Sequence, residues 1–237
     1  MSEPIRICVF KWGNKYTLDH VRIMRNMLAR NLTIPYEMVL ISDQWMDDRS
    51  FLPADIRVVP LWQSMREAKL CGVRLNAFHP SMAEVIGPRF AWIDMDVVIT
   101  GNVDHIFSRT EPFVALATPR PPVPYNGSLV IMDAGAFPHV QSSWTLAEYH
   151  RVGDFLGKQY NVPAGTVSDE GWMWHTLGVD QAKITKDDGV YYFRHDLLKG
   201  TRSLPADARM VVMNGRAFDP AMTKWQRQCP WIVEHWR

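Results

Sequence analysis

The stretch Phe90-Ala-Trp-Ile-Asp94-Met-Asp96-Val-Val98 joins two apolar runs through a pair of carboxylates placed two residues apart. Bulky apolar side chains on both sides of the pair predict one buried strand over Phe90–Val98. Because side chains at positions i and i+2 of an extended chain point to the same face, we expect Asp94 and Asp96 to converge. The stretch therefore predicts a buried strand with two neighbouring acids where its first apolar run ends.

Apolar runs of the same kind recur on both sides of this stretch. We predict further strands over Ile5–Phe10, Met38–Ser42, Ile56–Val59, Leu129–Met132, Val190–Phe193 and Met210–Met213. Predicted helices follow the N-cap Thr17 and cover residues 64–78, 144–156 and 171–177. This alternation predicts an α/β fold, in which a mostly parallel, twisted sheet carries helices on both faces. Such sheets bind ligands at the carboxyl ends of their strands.

The composition excludes several classes of protein. The chain has 237 residues, of which 47% are hydrophobic and 22% charged, and its net charge is +1 at pH 7. These values exclude wholesale disorder and a basic surface over the whole chain. No apolar run approaches the roughly 18 residues of a membrane span. The first residues do not resemble a secretory signal, and three scattered cysteines fit a reducing compartment, so we expect a cytoplasmic protein.

Asp94 and Asp96 carry the strongest chemical signal of the chain. Two converging carboxylates repel each other unless a cation lies beside them. A hard divalent ion with oxygen ligands would resolve this repulsion and keep coordination positions for a diphosphate. A pair of solvated acids is the plainer interpretation of a bare Asp-x-Asp sequence. The apolar residues on both sides of this pair favour the buried, metal-binding interpretation.

Several segments together carry a resemblance to a known family. They are Cys8–Tyr16, Val73–Phe78, Ile93–Asp104, Tyr125–Val130, Val167–Trp172, Val211–Arg216 and Trp231–Trp236. In this order they resemble the DxD-containing nucleotide-sugar glycosyltransferases of the GT-A fold, especially small bacterial and phage members akin to the galactosyltransferase/glycogenin-like group. The resemblance covers most of the chain and implies one GT-A (Rossmann-like) domain over residues 1–237. Its nucleotide side would cover about 1–118, and its acceptor side, with a basic, Trp-rich tail, about 119–237.

The resemblance implies a divalent cation, Mn²⁺ or Mg²⁺, as the cofactor. Asp94 and Asp96 would hold it against the diphosphate of the donor, where it acts as a Lewis acid on the leaving nucleoside diphosphate. Many relatives have a histidine as a third ligand at the position of Asn214. An amide oxygen can also bind a hard cation, so Asn214 is the candidate third ligand. The alternative is that this chain lacks a third protein ligand.

The resemblance also implies a set of residues that bind the nucleotide sugar. The set combines aromatic side chains near the end of the first strand, acids that follow later strands, and polar or small residues of the later motifs. It comprises Phe10, Trp12, Tyr16, Asp43, Arg74, Asp94, Asn126, Gly127, Gly215 and Arg216. Some of these have a structural interpretation as well, because Asn126 and Gly127 are typical of a turn and the aromatic residues are typical of a core.

Asp169 and Glu170 are the catalytic residues that the resemblance implies. A carboxylate beside the transferred sugar can bind a hydroxyl, accept a proton or stabilise charge at the anomeric carbon. The pair also suits the first turn of a helix that begins near Gly171, because acids are favourable at a helix N-terminus. Many relatives have Asp-Gln at these positions, so this chain has a carboxylate where they have an amide. The stereochemical outcome that the resemblance implies is retention of configuration.

The expected function is therefore that of a metal-dependent glycosyltransferase of the hexosyltransferase type. It would move a sugar from a UDP-linked donor to a hydroxyl of a saccharide or of a modified DNA base. Two alternatives stay open. Asp94-Met-Asp96 also fits the motif of haloacid-dehalogenase-type phosphatases, with Asp94 as nucleophile, although those enzymes place it after their first strand. A non-catalytic binder of nucleotide sugars or nucleic acid would tolerate asparagine at position 214.

Overall fold

The computed structural model describes residues 3–44, 50–62, 71–119, 122–161, 168–213 and 215–237. The strands are β1 (Ile5–Lys11), β2 (Tyr36–Ser42), β3 (Ile56–Pro60), β4 (Arg89–Ile93), β5 (Val97–Ile99), β6 (Phe113–Ala117), β7 (Tyr125–Asp133), β8 (Ala182–Ile184), β9 (Val190–Tyr192) and β10 (Met210–Val212). The helices are α1 (Leu18–Asn31), α2 (Met82–Val85), α3 (Asp104–Phe107), α4 (His139–Ser142), α5 (Leu146–Tyr160), α6 (Asp169–Leu177), α7 (Thr223–Gln228) and α8 (Pro230–His235). Short 3₁₀ turns cover Gly72–Phe78, Lys186–Asp188 and Arg216–Phe218, and a π turn covers Phe193–Leu197.

The strands of the described residues form two sheets. The larger has the order β3-β2-β1-β4-β7-β6-β8, and the smaller has the order β5-β10-β9. Strands β1, β2 and β3 pair in parallel, whereas β6 and β7 pair antiparallel. The predicted α/β fold with a mostly parallel sheet is confirmed.

The chain forms two compact units. The first comprises Met1–Leu61, Ala91–Thr110 and Ile184–Arg237, and the second comprises Trp62–Phe90 and Glu111–Lys183. Both units therefore combine segments that are distant in the sequence. The prediction of one domain with a change of role near residue 118 stays a prediction.

The first unit is built on the continuous apolar runs of β1 and β2. All residues from Ile7 to Lys11 and from Met38 to Ser42 are buried, as in strands that are covered on both faces. Helix α1 follows the turn after β1, and Thr17 is its N-cap as predicted. The Thr17 backbone N–H donates to Nδ1 of His20 at 3.2 Å, so His20 takes the place of the acid in a capping box.

The prediction of one continuous strand over Phe90–Val98 is wrong, because a turn interrupts it. Strand β4 ends at Ile93, and the chain turns through Asp94–Val97, where the Val97 N–H donates to the Asp94 carbonyl at 3.3 Å. Strand β5 then pairs antiparallel with β10 in the smaller sheet. The turn moves the chain from one sheet to the other, so the argument from alternating side chains does not apply at the acidic pair.

The second unit contains an irregular pairing that the sequence did not reveal. Ala115 of β6 pairs with Val130 of β7, but the next residue, Leu116, pairs with Asn126. Residues 127–129 therefore lie outside the regular ladder between β6 and β7, and such irregularities redirect side chains next to functional sites. Strand β6 itself was not predicted.

Other differences from the predictions concern boundaries. Helix α6 begins at Asp169 instead of Gly171, and α5 begins after its N-cap Thr145 and extends to Tyr160. The helix predicted over residues 64–78 is a 3₁₀ turn over Gly72–Phe78, and its first part lies outside the described residues. Of the helices described, none has the length and apolarity that crossing a bilayer requires.

Candidate functional site

The acidic turn of the first unit contains a deeply buried carboxylate. Asp96 is 1% exposed, and its Oδ2 lies 3.0 Å from Nζ of Lys15, whose side chain is 37% exposed. The Lys15 ammonium also donates to the Tyr16 hydroxyl at 2.6 Å, and that hydroxyl hydrogen-bonds to Asp96. The turn after β1 and the turn after β4 thus meet through one ammonium, one phenol and one buried carboxylate.

The electrostatics of Asp96 are unfavourable for a charged acid. Burial and, next, the negative charge of Asp94 raise the pKa of Asp96 to about 6, although Lys15 and Tyr16 act in the opposite direction. Its other oxygen, Oδ1, is buried and has no hydrogen-bond partner among the described residues. A buried carboxylate oxygen without a partner costs free energy, so this position suits an additional positive group.

The residues at this turn fit a hard divalent cation. Asp94 lies close enough to raise the pKa of Asp96, and the buried Asp96 Oδ1 is an unsatisfied oxygen of the kind such ions bind. Within the described ranges no group of three or more His, Cys, Asp and Glu side chains has the arrangement of a metal site. A complete site would therefore need ligands of another kind, such as amide oxygens, water or a bound diphosphate.

A polar cavity of about 350 Å³ lies in the same unit. It is lined by Asn14, Lys15, Gly215 and Asp219. This volume is in the range of pockets that hold small molecules. Two contacts hold the Asp219 carboxylate in place. Its Oδ1 accepts from the Ala221 N–H at 2.8 Å and lies 3.4 Å from Nε2 of the buried His20.

The other predicted nucleotide-binding residues of the first unit differ in their placement. Phe10 is 4% exposed and packs edge-to-face against Trp12 and Trp92, at centroid distances of 6.1 and 6.4 Å. Tyr16 is also buried, whereas Asp43 is exposed and accepts from the Gly13 N–H at 3.3 Å. Of these residues, Tyr16 contacts the acidic turn, through Lys15 and Asp96.

The motif Asn214-Gly215-Arg216 lies only partly within the residues that the structure describes. Gly215 lines the cavity with φ of 99°, a conformation that favours glycine. Asn214 and the side chain of Arg216 lie outside the described residues. The metal-ligand role of Asn214 and the phosphate-binding role of Arg216 stay predictions.

In the second unit, Asp169 lies in a buried polar network. Its Oδ2 is 3.5 Å from Nη1 of Arg74, which donates to the Gly127 carbonyl at 2.7 Å. Arg74 and Asp169 are each 2% exposed, so this ion pair is removed from water. Asp169 is the first residue of α6, where the helix dipole also favours an acid. The helix-turn interpretation and the site interpretation of Asp169 are therefore both compatible with its position.

Glu170 joins the same network from the next position of the helix. Its Oε1 accepts from Nδ2 of Asn126 at 2.9 Å and from the Gly127 N–H at 3.0 Å. The Asn126 Oδ1 in turn accepts from the Ser128 N–H at 3.0 Å. Two hydrogen bonds thus fix the irregular part of β7 to the start of α6, and five predicted site residues, Arg74, Asn126, Gly127, Asp169 and Glu170, lie together in this network.

Gly127 has a steric reason to be glycine. A Cβ atom at this position would lie 2.8 Å from Oδ2 of Asp169, a distance that real Cβ atoms do not reach. The close approach lets both the N–H and the carbonyl of Gly127 take part in the network. Gly127 therefore shapes this group of residues through its backbone.

Three polar residues of the first unit were missed by sequence reasoning. They are Lys15, His20 and Asp219, which contact the acidic turn, cap α1 or line the cavity. Lys15 lies in the polar turn after β1, and that position was the available signal. Asp219 and His20 are 199 residues apart in sequence, and no local pattern relates them.

The fold defined by these strands and helices is the GT-A fold of glycosyltransferases, as comparison with solved structures shows. One of them is the glycosyltransferase GlyE of Streptococcus pneumoniae TIGR4, with a TM-score of 0.62 and 12% identity over 98% of this chain. The match covers 62% of GlyE, so the chain spans about three fifths of that protein. Another is the galactosyltransferase LgtC, solved with donor and acceptor sugar analogues, with a TM-score of 0.58 and 8% identity.

The match to LgtC covers 98% of this chain and 96% of LgtC. Neither a family model nor a curated protein sequence matches the chain. At these low identities the structural likeness shows the fold, and the activity has to be argued from the residues.

Proposed function

We propose that this protein is a glycosyltransferase that takes a sugar from a nucleotide-sugar donor. The observation that carries the proposal is the buried, incompletely satisfied carboxylate of Asp96, on a GT-A fold and in one unit with a polar cavity. A buried carboxylate whose pKa is raised by burial and by a second acid is a common feature of functional sites.

The first unit has the groups that a nucleoside diphosphate needs. Asp94 and Asp96 would hold a divalent cation, which supplies Lewis-acid stabilisation of the leaving diphosphate. Lys15 presents an ammonium to the cavity, and ammonium groups bind phosphates as point charges. Asp219, also at the cavity, offers a carboxylate that can accept hydrogen bonds from hydroxyl groups.

The second unit has the groups that a sugar needs. We propose that Asp169 and Glu170 act on the transferred sugar, with Arg74 and Asn126 fixing their positions. The network orients both carboxylates in advance, and orientation before binding is a large part of catalytic power. The prediction is that Asp169→Ala loses far more rate than nucleotide affinity, because its interaction strengthens in the transition state.

The finer parts of the proposal come from the resemblance alone. They are a UDP-linked donor, Mn²⁺ or Mg²⁺ as the cation, retention of configuration, and a hydroxyl acceptor on a saccharide or a modified DNA base. The cytoplasmic location and the halves that meet near residue 118 likewise stay predictions.

Thermal unfolding with a panel of nucleotides tests the proposal. The protein would be melted with UDP, GDP, ADP or CDP, each with Mn²⁺ and with EDTA. A ligand at a hundred times its Kd adds about 2.7 kcal/mol to the free energy of unfolding, which corresponds to a Tm increase of roughly 5–10 °C. We expect this increase for one nucleotide, with Mn²⁺ only.

Two variants serve as matched controls. Asp96→Asn removes the buried charge and should abolish the increase, whereas Asp207→Asn, at an exposed acid bonded to Tyr191 in the same unit, should preserve it. An increase that survives in EDTA and in Asp96→Asn would contradict the assignment. In the absence of any shift, phosphatase substrates become the next test, since Asp94 would then be a candidate nucleophile.

A further inference from the structure

We propose that Lys15 occupies the cation position at Asp96 while no donor is bound, and that a divalent cation and a nucleoside diphosphate displace it together. This inference rests on the proposed function and adds to it a rule for how the site fills. Binding of the cation alone would be weak, because the cation has to break an existing ion pair before it reaches the carboxylate.

The contacts of Lys15 show a side chain held at the acid. Its Nζ lies 3.0 Å from Asp96 Oδ2, 2.6 Å from the Tyr16 hydroxyl oxygen and 4.4 Å from the centroid of the Tyr16 ring. The carboxylate is 1% exposed and the lysine side chain 37% exposed. The ammonium therefore reaches inward to a buried partner from a position that keeps access to the cavity.

Lys15 satisfies the buried acid of this turn incompletely. Its ammonium carries a single positive charge and lies against Oδ2 of Asp96. The Asp96 Oδ1 has no hydrogen-bond partner within the described part of the chain. A divalent cation supplies a second positive charge and can accept electron pairs from several oxygens at once, so it is the better partner for this turn.

The cavity gives the displaced ammonium a place to go. Lys15 lines it together with Asn14, Gly215 and Asp219, and its flexible four-carbon stem can turn without movement of the backbone. A diphosphate in this cavity would offer the ammonium new anionic partners. Both ligands favour the displaced position of Lys15, so binding of either one increases the affinity for the other. The size of this increase is the coupling free energy between the two ligands.

The experiment measures Mn²⁺ affinity directly, through the electron paramagnetic resonance signal of free Mn²⁺, with and without UDP. The Mn²⁺ bound by UDP in solution is measured without protein and subtracted. The variants are Lys15→Met, which keeps the stem and removes the charge, and Lys15→Arg, which keeps the charge. Lys186→Met is the matched control, because Lys186 pairs with Asp196 at 2.6 Å and lies 5.8 Å from the Tyr191 ring centroid.

We expect Lys15→Met to bind Mn²⁺ alone about tenfold more tightly than the unmodified protein. The factor by which UDP increases Mn²⁺ affinity should fall by a similar amount, because no ion pair is left for UDP to replace. Lys15→Arg and Lys186→Met should behave as the unmodified protein does. Circular dichroism melts confirm that each variant is folded.

Three outcomes would overturn the inference. Unchanged or weaker Mn²⁺ binding by Lys15→Met, with UDP and Mn²⁺ still bound by the unmodified protein, removes the role of Lys15 and leaves the proposed function standing. Tighter binding by Lys15→Arg as well would show that the ammonium charge is not the cause. If the unmodified protein binds neither Mn²⁺ nor UDP with Mn²⁺, the inference and the proposed function fall together.

Discussion

Asp96 in the first unit and Asp169 in the second are both buried carboxylates, with exposures of 1% and 2%, but their surroundings differ. Asp96 has an oxygen without a hydrogen-bond partner in the described ranges, and its pKa is raised by burial. Asp169 lies against a buried guanidinium, and its neighbour Glu170 accepts two N–H groups. Among the described residues, one acid is incompletely satisfied, and the other belongs to a network of protein groups.

This difference separates two ways of preparing a site. An unsatisfied buried acid keeps part of its bonding capacity for a ligand, and the protein loses stability to maintain it. A satisfied network keeps its geometry without a ligand, and it loses stability when any member is removed. Substitutions at the two acids should therefore act in opposite directions on stability, which makes the comparison testable.

The largest effect is expected for Asp96→Asn on transfer activity. If Asp96 holds the cation, its loss removes several kcal/mol of transition-state stabilisation, and the rate should fall about a thousandfold. Sugar transfer or donor hydrolysis would be measured by release of the nucleoside diphosphate. Asp207→Asn, at an exposed acid of the same unit, should keep its rate. Normal turnover by a folded Asp96→Asn protein would refute the metal-site assignment.

The sequence predicted the fold better than the detailed geometry of the two acids. The apolar runs of β1 and β2 identified the parallel sheet because strands buried on both faces leave a continuous hydrophobic pattern. The acidic pair was recognised as chemically informative, but its turn was mistaken for a strand. A turn that transfers the chain between two sheets is decided by pairing with β10, more than 100 residues away in sequence, and leaves little local trace.

The contacts of the second unit could be predicted only as a set of residues. The resemblance named Arg74, Asn126, Gly127, Asp169 and Glu170, and these residues do contact one another. The reason for Gly127 could not be predicted, because it depends on a side chain 42 positions further along the chain. Lys15 was missed for the same reason, since only the folded chain brings it to Asp96.

The second-largest effect is expected for Asp169→Ala, which should lower the free energy of unfolding. Removing this acid removes its ion pair with the buried Arg74 guanidinium, and breaking a buried pair costs about 3–5 kcal/mol. Urea unfolding should show this loss. Asp133→Ala is the matched control in the same unit, because Asp133 pairs with Arg89 but is 43% exposed, and exposed pairs contribute at most about 1 kcal/mol. Equal losses for the two variants would mean that the Arg74 pair has no special importance.

The third effect is the pH dependence of Asp96→Asn, measured by urea unfolding in EDTA. The folded-state pKa of Asp96 is raised from 3.8 to about 6, so the folded protein binds this proton more tightly than the unfolded chain does. Asp96 therefore becomes increasingly destabilising as the pH rises from about 4 to about 6, and the penalty is constant above that. Asparagine does not titrate.

The stability advantage of Asp96→Asn over the unmodified protein should accordingly grow between pH 4 and pH 6. A shift from 3.8 to about 6 corresponds to roughly 3 kcal/mol. The change in this advantage with pH is the informative quantity, because groups that do not interact with Asp96 titrate equally in both proteins. A constant advantage, or one that shrinks as the pH rises, would show that Asp96 is not the strained acid of the comparison.

The smallest effect is expected for Gly127→Ala, which tests how tightly the satisfied network is packed. The new Cβ would lie 2.8 Å from Asp169 Oδ2, and crowding of this kind costs about 1–3 kcal/mol. In the Asp169→Ala background that oxygen is absent, so the same substitution should cost about 1 kcal/mol less. Gly200→Ala is the control, because a Cβ there has no neighbour closer than the Leu197 carbonyl oxygen at 3.9 Å. Additive losses in the double variant would show that a Cβ at position 127 does not crowd Asp169. This result would contradict the claim that the network around Asp169 is tightly packed.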